Sequence, residues 1–198
     1  MESKDFMYEK PRDLSSIHND LYREGIALIG PYLVLSDAPA KDPSSPSAQK
    51  ELKRGITLLR RAVDLYPDNW EAFWVMGKGY QALRQREDAY QCFQRAYSIN
   101  PNNPDVGLEY VAECIAIGKG DEAVEIARGI SEGNPNDVGL LSNLGLAYLI
   151  AGNVDKALEV TRKAMEMQPE DSVIKNLLSL IQNVQEGKIE RPTKWSDF

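Results

Sequence analysis

The stretch WEAFWVMGKGYQALRQREDAYQCFQRAYSINPNN, residues 70–103, decides the fold because its pattern returns along the chain at a fixed period. The clearest markers of that period are four prolines, each 34 residues after the one before: Pro67, Pro101, Pro135 and Pro169. Three alanines keep the same spacing: Ala89, Ala123 and Ala157. A period of this length indicates stacked copies of one small structural unit, each of which contacts mainly its neighbours.

Each unit is predicted to form two helices. In residues 70–103, Phe73, Met76-Gly77 and Tyr80 share one face of a first helix (A), and a second helix (B) carries Ala89, Phe93 and Ala96 before Pro101. This arrangement resembles the tetratricopeptide-repeat family. The blocks 104–137 and 138–171 depart from it, since Val111 stands at the glycine position of the first and Thr161 at the aromatic position of the second. The resemblance implies an all-α, right-handed α-α superhelix.

The ends of the stack are less regular. We predict a domain over 16–187, with a short extension at 1–15 and a tail at 188–198. Residues 16–69 are interpreted as a divergent first repeat with a proline-rich loop inserted at 36–46. Three clear repeats follow at 70–103, 104–137 and 138–171, and a capping helix at 171–187 covers the last hairpin. We expect helices near 16–35, 46–65, 70–83, 87–99, 104–117, 121–133, 138–151, 155–167 and 171–186.

Composition excludes several classes of function. The 198-residue chain carries a net charge of −7, which disfavours binding to nucleic acids and to anionic membranes. Its cysteines, Cys92 and Cys114, lie inside helical patterns and outside any CxxC, so we expect buried free thiols in a reducing compartment. With no apolar signal segment before residue 17, the sequence predicts a cytoplasmic protein.

We expect no enzymatic activity and no cofactor. The chain has neither a phosphate-binding glycine loop nor a nucleophile elbow. Its one histidine, His18, supplies too few ligands for a metal site built from Cys and His side chains.

The resemblance also implies where a partner binds. Peptide ligands of the family lie along the concave face, which the A helices line. Carried over by position, the predicted groove residues are Trp74, Lys78, Gln81, Leu108, Ala112, Ile115, Ser142, Leu146, Leu149, Asn176 and Leu180. The same positions include Glu71 and Asp105, and the divergent hairpin adds Tyr22 and Ile26. The Lys and Arg pair with which some family members hold a free C-terminal carboxylate is missing at Gly139 and Asn143.

Because this predicted surface is mostly apolar, we expect a protein or peptide partner in the groove. Two alternatives remain open. The same groove could mediate self-association, giving a homodimer or a larger assembly, or the chain's own segments could cover it. The candidates for such a cover are the tail, with Trp195 and Phe198, and the inserted loop at 36–46.

Overall fold

The structure, a computed structural model, describes residues 13–33 and 40–197. These residues form nine α-helices and two short 3-10 turns. The helices are α1 (Leu14–Ile29), α2 (Pro46–Leu65), α3 (Trp70–Ala82), α4 (Arg86–Ile99), α5 (Pro104–Ala116), α6 (Gly120–Gly133), α7 (Val138–Ile150), α8 (Val154–Met167) and α9 (Ser172–Gln185). Within the described ranges no helix has the length and apolar character needed to cross a bilayer. The predicted all-α repeat superhelix is confirmed.

Four of the helices, α3, α5, α7 and α9, begin at side-chain caps that repeat with the sequence period. The side chains of Asn69, Asn103, Asp137 and Asp171 each accept a hydrogen bond from a backbone N–H in the first turn of α3, α5, α7 and α9. Since the four caps are 34 residues apart, they start each A helix at the same point of its repeat.

The turns from helix A to helix B use a left-handed residue. Gly118 and Gly152 have φ values of +81° and +88°, which glycine adopts without steric cost. The equivalent residue of the first clear repeat is Arg84, with φ of +57°. The first clear repeat therefore holds the same turn with a bulkier residue.

The divergent first hairpin consists of α1 packed against α2. The two backbones approach closely at Gly25 and Gly55, where a Cβ on Gly55 would lie 3.0 Å from the carbonyl oxygen of Gly25. The predicted helix over 16–35 is too long, because α1 ends at Ile29 and a 3-10 turn follows at Gly30–Tyr32, around Pro31. Residues 36–39 of the predicted loop and residues 34–35 of the predicted helix lie outside the described residues.

Inside the later repeats, a small residue of helix A meets helix B directly. A Cβ on Gly77 would lie 2.7 Å from the ring of Phe93, and one on Gly145 would lie 2.3 Å from Oγ1 of Thr161. Thr161 thus occupies the space that an aromatic ring fills in the better-matching repeat. One apolar core runs through the stack, from Ile29 to Ile181.

The A helices differ in how closely they approach one another. The backbones of α1 and α3, of α5 and α7, and of α7 and α9 come close together, whereas those of α3 and α5 approach each other less closely. The facing residues supply a reason, because α3 presents the long side chains Trp74, Lys78 and Gln81, while α5 presents the small Ala112 and Ala116 toward α7. A wider gap between α3 and α5 results.

Candidate protein-binding groove

Polar side chains span the gap between α3 and α5. Nζ of Lys78 lies 2.7 Å from Oε1 of Glu109, and Nε2 of Gln81 donates to Glu109 at 2.9 Å and to Glu113 at 2.7 Å. Arg86, at the start of α4, reaches the same Oε1 of Glu113 at 2.7 Å. A charged network therefore joins the two A helices.

Glu113 is the least expected member of this network. It is fully buried, and no described group lies within hydrogen-bond distance of its Oε2. The residues 34 positions away on either side are Gly79 and Ala147, both buried and small. Glu113 was not identified from the sequence. The signal that could have identified it is a carboxylate at a position where the other repeats carry a small core residue.

A pocket of about 300 Å³ opens beside this gap, toward the N-terminal ends of the helices. We call it the acid-aromatic pocket. It is lined by Tyr22 of α1, by Trp70, Glu71, Trp74 and Val75 of α3, and by Asn103, Asp105 and Val106 at the start of α5. Four of these, Tyr22, Glu71, Trp74 and Asp105, are groove positions predicted from the sequence.

Two features of the pocket wall are defined by hydrogen bonds. The hydroxyl of Tyr22 donates to Oε2 of Glu71 at 2.8 Å, and burial together with this bond and the nearby negative charge raises the pKa of Tyr22 well above its usual value. Tyr22 therefore stays neutral. Nε1 of Trp74 is buried and has no hydrogen-bond acceptor among the described residues, and Nζ of Lys78 lies 5.8 Å from the centroid of the Trp74 ring.

The other end of the predicted groove is bordered by the tail, residues 188–197. Nη1 of Arg191 donates to the last carbonyls of α7, those of Leu149 and Ile150. These carbonyls carry the negative end of the helix dipole, so a guanidinium is well placed there. Pro192 is buried, and the chain then passes the turn at Gly118.

Beyond this point the tail forms a turn. The carboxylate of Asp197 accepts hydrogen bonds from the backbone of Thr193 and Lys194 and from the Thr193 hydroxyl, which closes a 3-10 turn at Trp195–Asp197. Trp195 then borders a cavity of about 160 Å³ with Ala112, Ile115 and Leu146, and with Glu113 at its wall. The indole remains 57% exposed. Phe198 lies outside the described residues.

The structure separates the predicted groove residues into three groups. Trp74, Lys78 and Gln81 are half-buried around the α3–α5 gap, and Leu108 of α5 is half-buried as well. Exposed Ala112 and half-buried Leu146 lie beside Trp195, as does Ile115, which is only 2% exposed. Half-buried Ser142, whose hydroxyl bonds the Val138 carbonyl of its own helix, and exposed Asn176 and half-buried Leu180 of α9 lie further along the stack.

The prediction for Leu149 is wrong. Its side chain is fully buried in the central core, and only its carbonyl takes part in binding another segment, through Arg191. Sequence position placed it on the concave face, but near the end of α7 that face turns inward against neighbouring helices and becomes part of the core.

The described residues offer little for covalent or metal chemistry. Burial raises the pKa of both thiols, Cys92 and Cys114, to about 12. They are therefore protonated at neutral pH and unreactive. Within residues 13–33 and 40–197, no three His, Cys, Asp or Glu side chains lie close enough to hold a metal ion.

Comparisons with known proteins give the same architecture. The family model for the cytochrome c-type biogenesis protein H TPR domain matches residues 34–175. The chain is 28% identical over 107 residues to small glutamine-rich tetratricopeptide repeat-containing protein 2 of Mycosarcoma maydis, covering 53% of this chain and 30% of the relative. It is 23% identical over 127 residues to anaphase-promoting complex subunit 3 of Schizosaccharomyces pombe, covering 64% and 19%. The chain thus spans less than a third of either relative.

Among solved structures, a crystal structure of MamA superposes with a TM-score of 0.68 at 14% identity, covering 87% of this chain and 84% of MamA. MamA from Desulfovibrio magneticus RS-1 gives 0.64 at 16% identity, with 90% and 88% covered. At this identity the likeness concerns the fold alone.

Proposed function

The chain belongs to the tetratricopeptide-repeat family of the cytochrome c-type biogenesis protein H domain, and we propose that it is an adaptor that binds an extended or helical segment of a partner protein along its A helices. The fold supports a protein-interaction scaffold in general. We assign the partner-binding surface to the open half of the groove. The open half comprises Tyr22, Trp74, Lys78, Gln81 and Leu108, together with the acid-aromatic pocket.

One observation carries this proposal: a half-buried tryptophan, Trp74, lines a pocket of about 300 Å³ at a place where the backbones of two A helices approach each other less closely than elsewhere in the stack. Tryptophan in a partly desolvated pocket is the residue type most often responsible for binding energy at protein interfaces. A partner side chain that enters there would bury apolar surface that the fold itself leaves uncovered.

The proposal is tested by a pull-down from cell extract with the intact protein and two variants, Trp74→Ala and Leu108→Asp. We expect both variants to lose the same partner band. The matched controls are Trp195→Ala, which removes an exposed tryptophan at the other end, and Leu14→Asp, which changes an exposed leucine at the start of α1. Retention of the partner by Trp74→Ala and Leu108→Asp, with unchanged melting temperatures, would contradict the proposal.

A second candidate function is self-association, and the position of the tail favours it. A segment that lies against its own α5 and α7 through Arg191, Pro192 and Trp195 can make the same contacts to a second copy. Light scattering across a concentration series would detect such dimers. A chain lacking 188–198 should then be monomeric, whereas a monomer at all concentrations in the intact protein removes this candidate.

We place this function in the cytoplasm, with a protein as the partner and neither nucleic acid nor membrane involved. The two buried free thiols are compatible with a reducing compartment. The net charge of −7 repels phosphate-rich surfaces. Cell fractionation of the tagged protein checks the location.

A further inference from the structure

The acid-aromatic pocket has a charge that its walls do not neutralise. Glu71 and Asp105 are both exposed, and they are equivalent residues, 34 positions apart, in the first turns of α3 and α5. None of the residues that line the pocket is basic, and within the described part of the chain no Lys or Arg lies in salt-bridge distance of either carboxylate. The nearest cation on α3, Lys78, is paired with Glu109.

The helix ends oppose these charges but do not cancel them. Each helix N-terminus contributes about half a positive charge, so α3 and α5 together offset about one of the two negative charges. About one negative charge therefore remains at the mouth of the pocket. The third equivalent position is Gly139, so the acidic pair occurs at this end of the stack and is not repeated in α7.

The aromatic residues make the same pocket suited to a cation. Trp70, Trp74 and Tyr22 contribute rings to its wall, and the faces of such rings attract ammonium and guanidinium groups. The methylene stem of a lysine or arginine packs on an aromatic surface while its charged end stays near water. A volume of about 300 Å³ is at the lower limit of small-molecule pockets and suits one long side chain.

Other occupants fit less well. An anion would meet two carboxylates, and an uncharged apolar side chain would remove water from Glu71 and Asp105 without replacing their hydrogen bonds. A divalent cation needs more oxygen ligands than this pair provides, and the described residues contain no cluster of three suitable side chains.

We propose that the acid-aromatic pocket binds the positively charged side chain of a lysine or arginine in the partner segment. The charged end lies beside Glu71 and Asp105, and the stem packs against Trp74. This inference rests on the proposed function of the groove and specifies the chemistry of what enters it. The chain's net charge of −7 draws basic segments toward the same surface.

The test uses the three tryptophans as probes, since two of them line the pocket and Trp195 lies in the tail. The indole N–H signals of the ¹⁵N-labelled protein are assigned by Trp→Phe variants. The protein is then titrated with acetylated, amidated pentapeptides that place lysine, arginine or norleucine between two pairs of alanines. We expect the lysine and arginine peptides to shift the signals of Trp70 and Trp74, to leave Trp195 unchanged, and to bind more weakly as salt is added.

The double variant Glu71→Gln/Asp105→Asn keeps the shape of the pocket and removes its charge. It should bind the charged peptides about fivefold to tenfold more weakly, as expected for two exposed ion pairs, and it should bind the norleucine peptide as before. Equal binding of norleucine and lysine by the unchanged protein would overturn the proposal, as would an unaltered affinity in the double variant. If the charged peptides do not bind but Trp74→Ala still loses its partner in the pull-down, the proposed cation preference is contradicted. The proposed function of the groove is then unaffected.

Discussion

The two halves of the groove are built from equivalent positions of neighbouring repeats, yet they present different surfaces. In the open half, α3 and α5 stand apart, polar side chains bridge the gap, and the acid-aromatic pocket is accessible. In the other half, which we call the tail-bordered half, α5 and α7 pack closely. Ala112, Ile115 and Leu146 lie there beside the chain's own Trp195.

The difference shows that side-chain size decides how a repeat surface is used. Long residues on α3 hold the next A helix away and leave a pocket, whereas small residues on α5 let α7 approach and leave a shallow apolar strip. That strip is bordered by the tail, whose Arg191 is held by the end of α7. Among the described residues, the same scaffold thus forms one open pocket and one apolar strip that its own tail borders.

The largest expected effect comes from Gly145→Leu, beneath the tail-bordered half. The added side chain must enter the space of Thr161, at a contact of 2.3 Å for Cβ alone, inside a buried helix pair. We expect a loss of about 3 kcal/mol in the free energy of unfolding, at the upper end of the cost of overpacking. Urea denaturation measures it. Lys163→Leu, on the exposed face of α8, is the control and should change stability little.

Next in size is Arg86→Ala, at the boundary between the halves. The variant leaves the buried carboxylate of Glu113 with Gln81 as its sole remaining hydrogen-bond donor among the described residues. We expect a destabilisation of about 2 kcal/mol, less than for a fully buried pair because Arg86 is half exposed.

Arg95→Ala is the matched control for that variant. Its ion pair with Asp68, at 3.8 Å, is on the surface and should contribute at most about 1 kcal/mol. If the two arginine variants unfold at the same urea concentration, the charged network does not hold α3 and α5 together.

A smaller and local effect is expected for Arg191→Ala. The loss of its hydrogen bonds to the end of α7 should weaken the attachment of the tail by about 1 kcal/mol. This change corresponds to a roughly fivefold rise in the rate of chymotrypsin cleavage after Trp195. Global stability should not change. Lys188→Ala removes a charge that pairs with the nearby Glu186, and it should leave the cleavage rate as it was. Equal rates in both variants would show that the tail is not held by Arg191.

The smallest expected effect concerns the two buried cysteines, Cys92 and Cys114, which should be equally unreactive in the folded protein. The pKa of both Cys92 and Cys114 is raised to about 12, so thiolate is scarce in the folded protein at pH 8. We expect a thiol reagent to label neither cysteine until urea unfolds the chain, and a change from pH 8 to pH 9 to leave this unaltered. Rapid labelling of one cysteine in the native protein would show that its half opens locally.

Much of the fold could be predicted, because local signals and the period agree. Asn69 and Asn103 each stand two residues after a proline of the 34-residue period, and both cap the helix that follows. The first helix was predicted too long because apolar residues continue to Leu33, although Pro31 forces a 3-10 turn. In the groove, the positions of Trp74 and Asp105 followed from the repeat register, but that register also assigned Leu149 to a surface from which packing removes it.

The sequence by itself determined the repeat, its helices, its caps and the residue types along the A helices, since each of these depends on neighbours within one or two turns or on a strict period. The tertiary structure alone decided the wide gap between α3 and α5, the burial of Glu113 against Arg86, and the place of the tail on α7. These features arise where side chains from distant segments compete for the same space, so their outcome depends on the packing of the whole stack rather than on any one repeat.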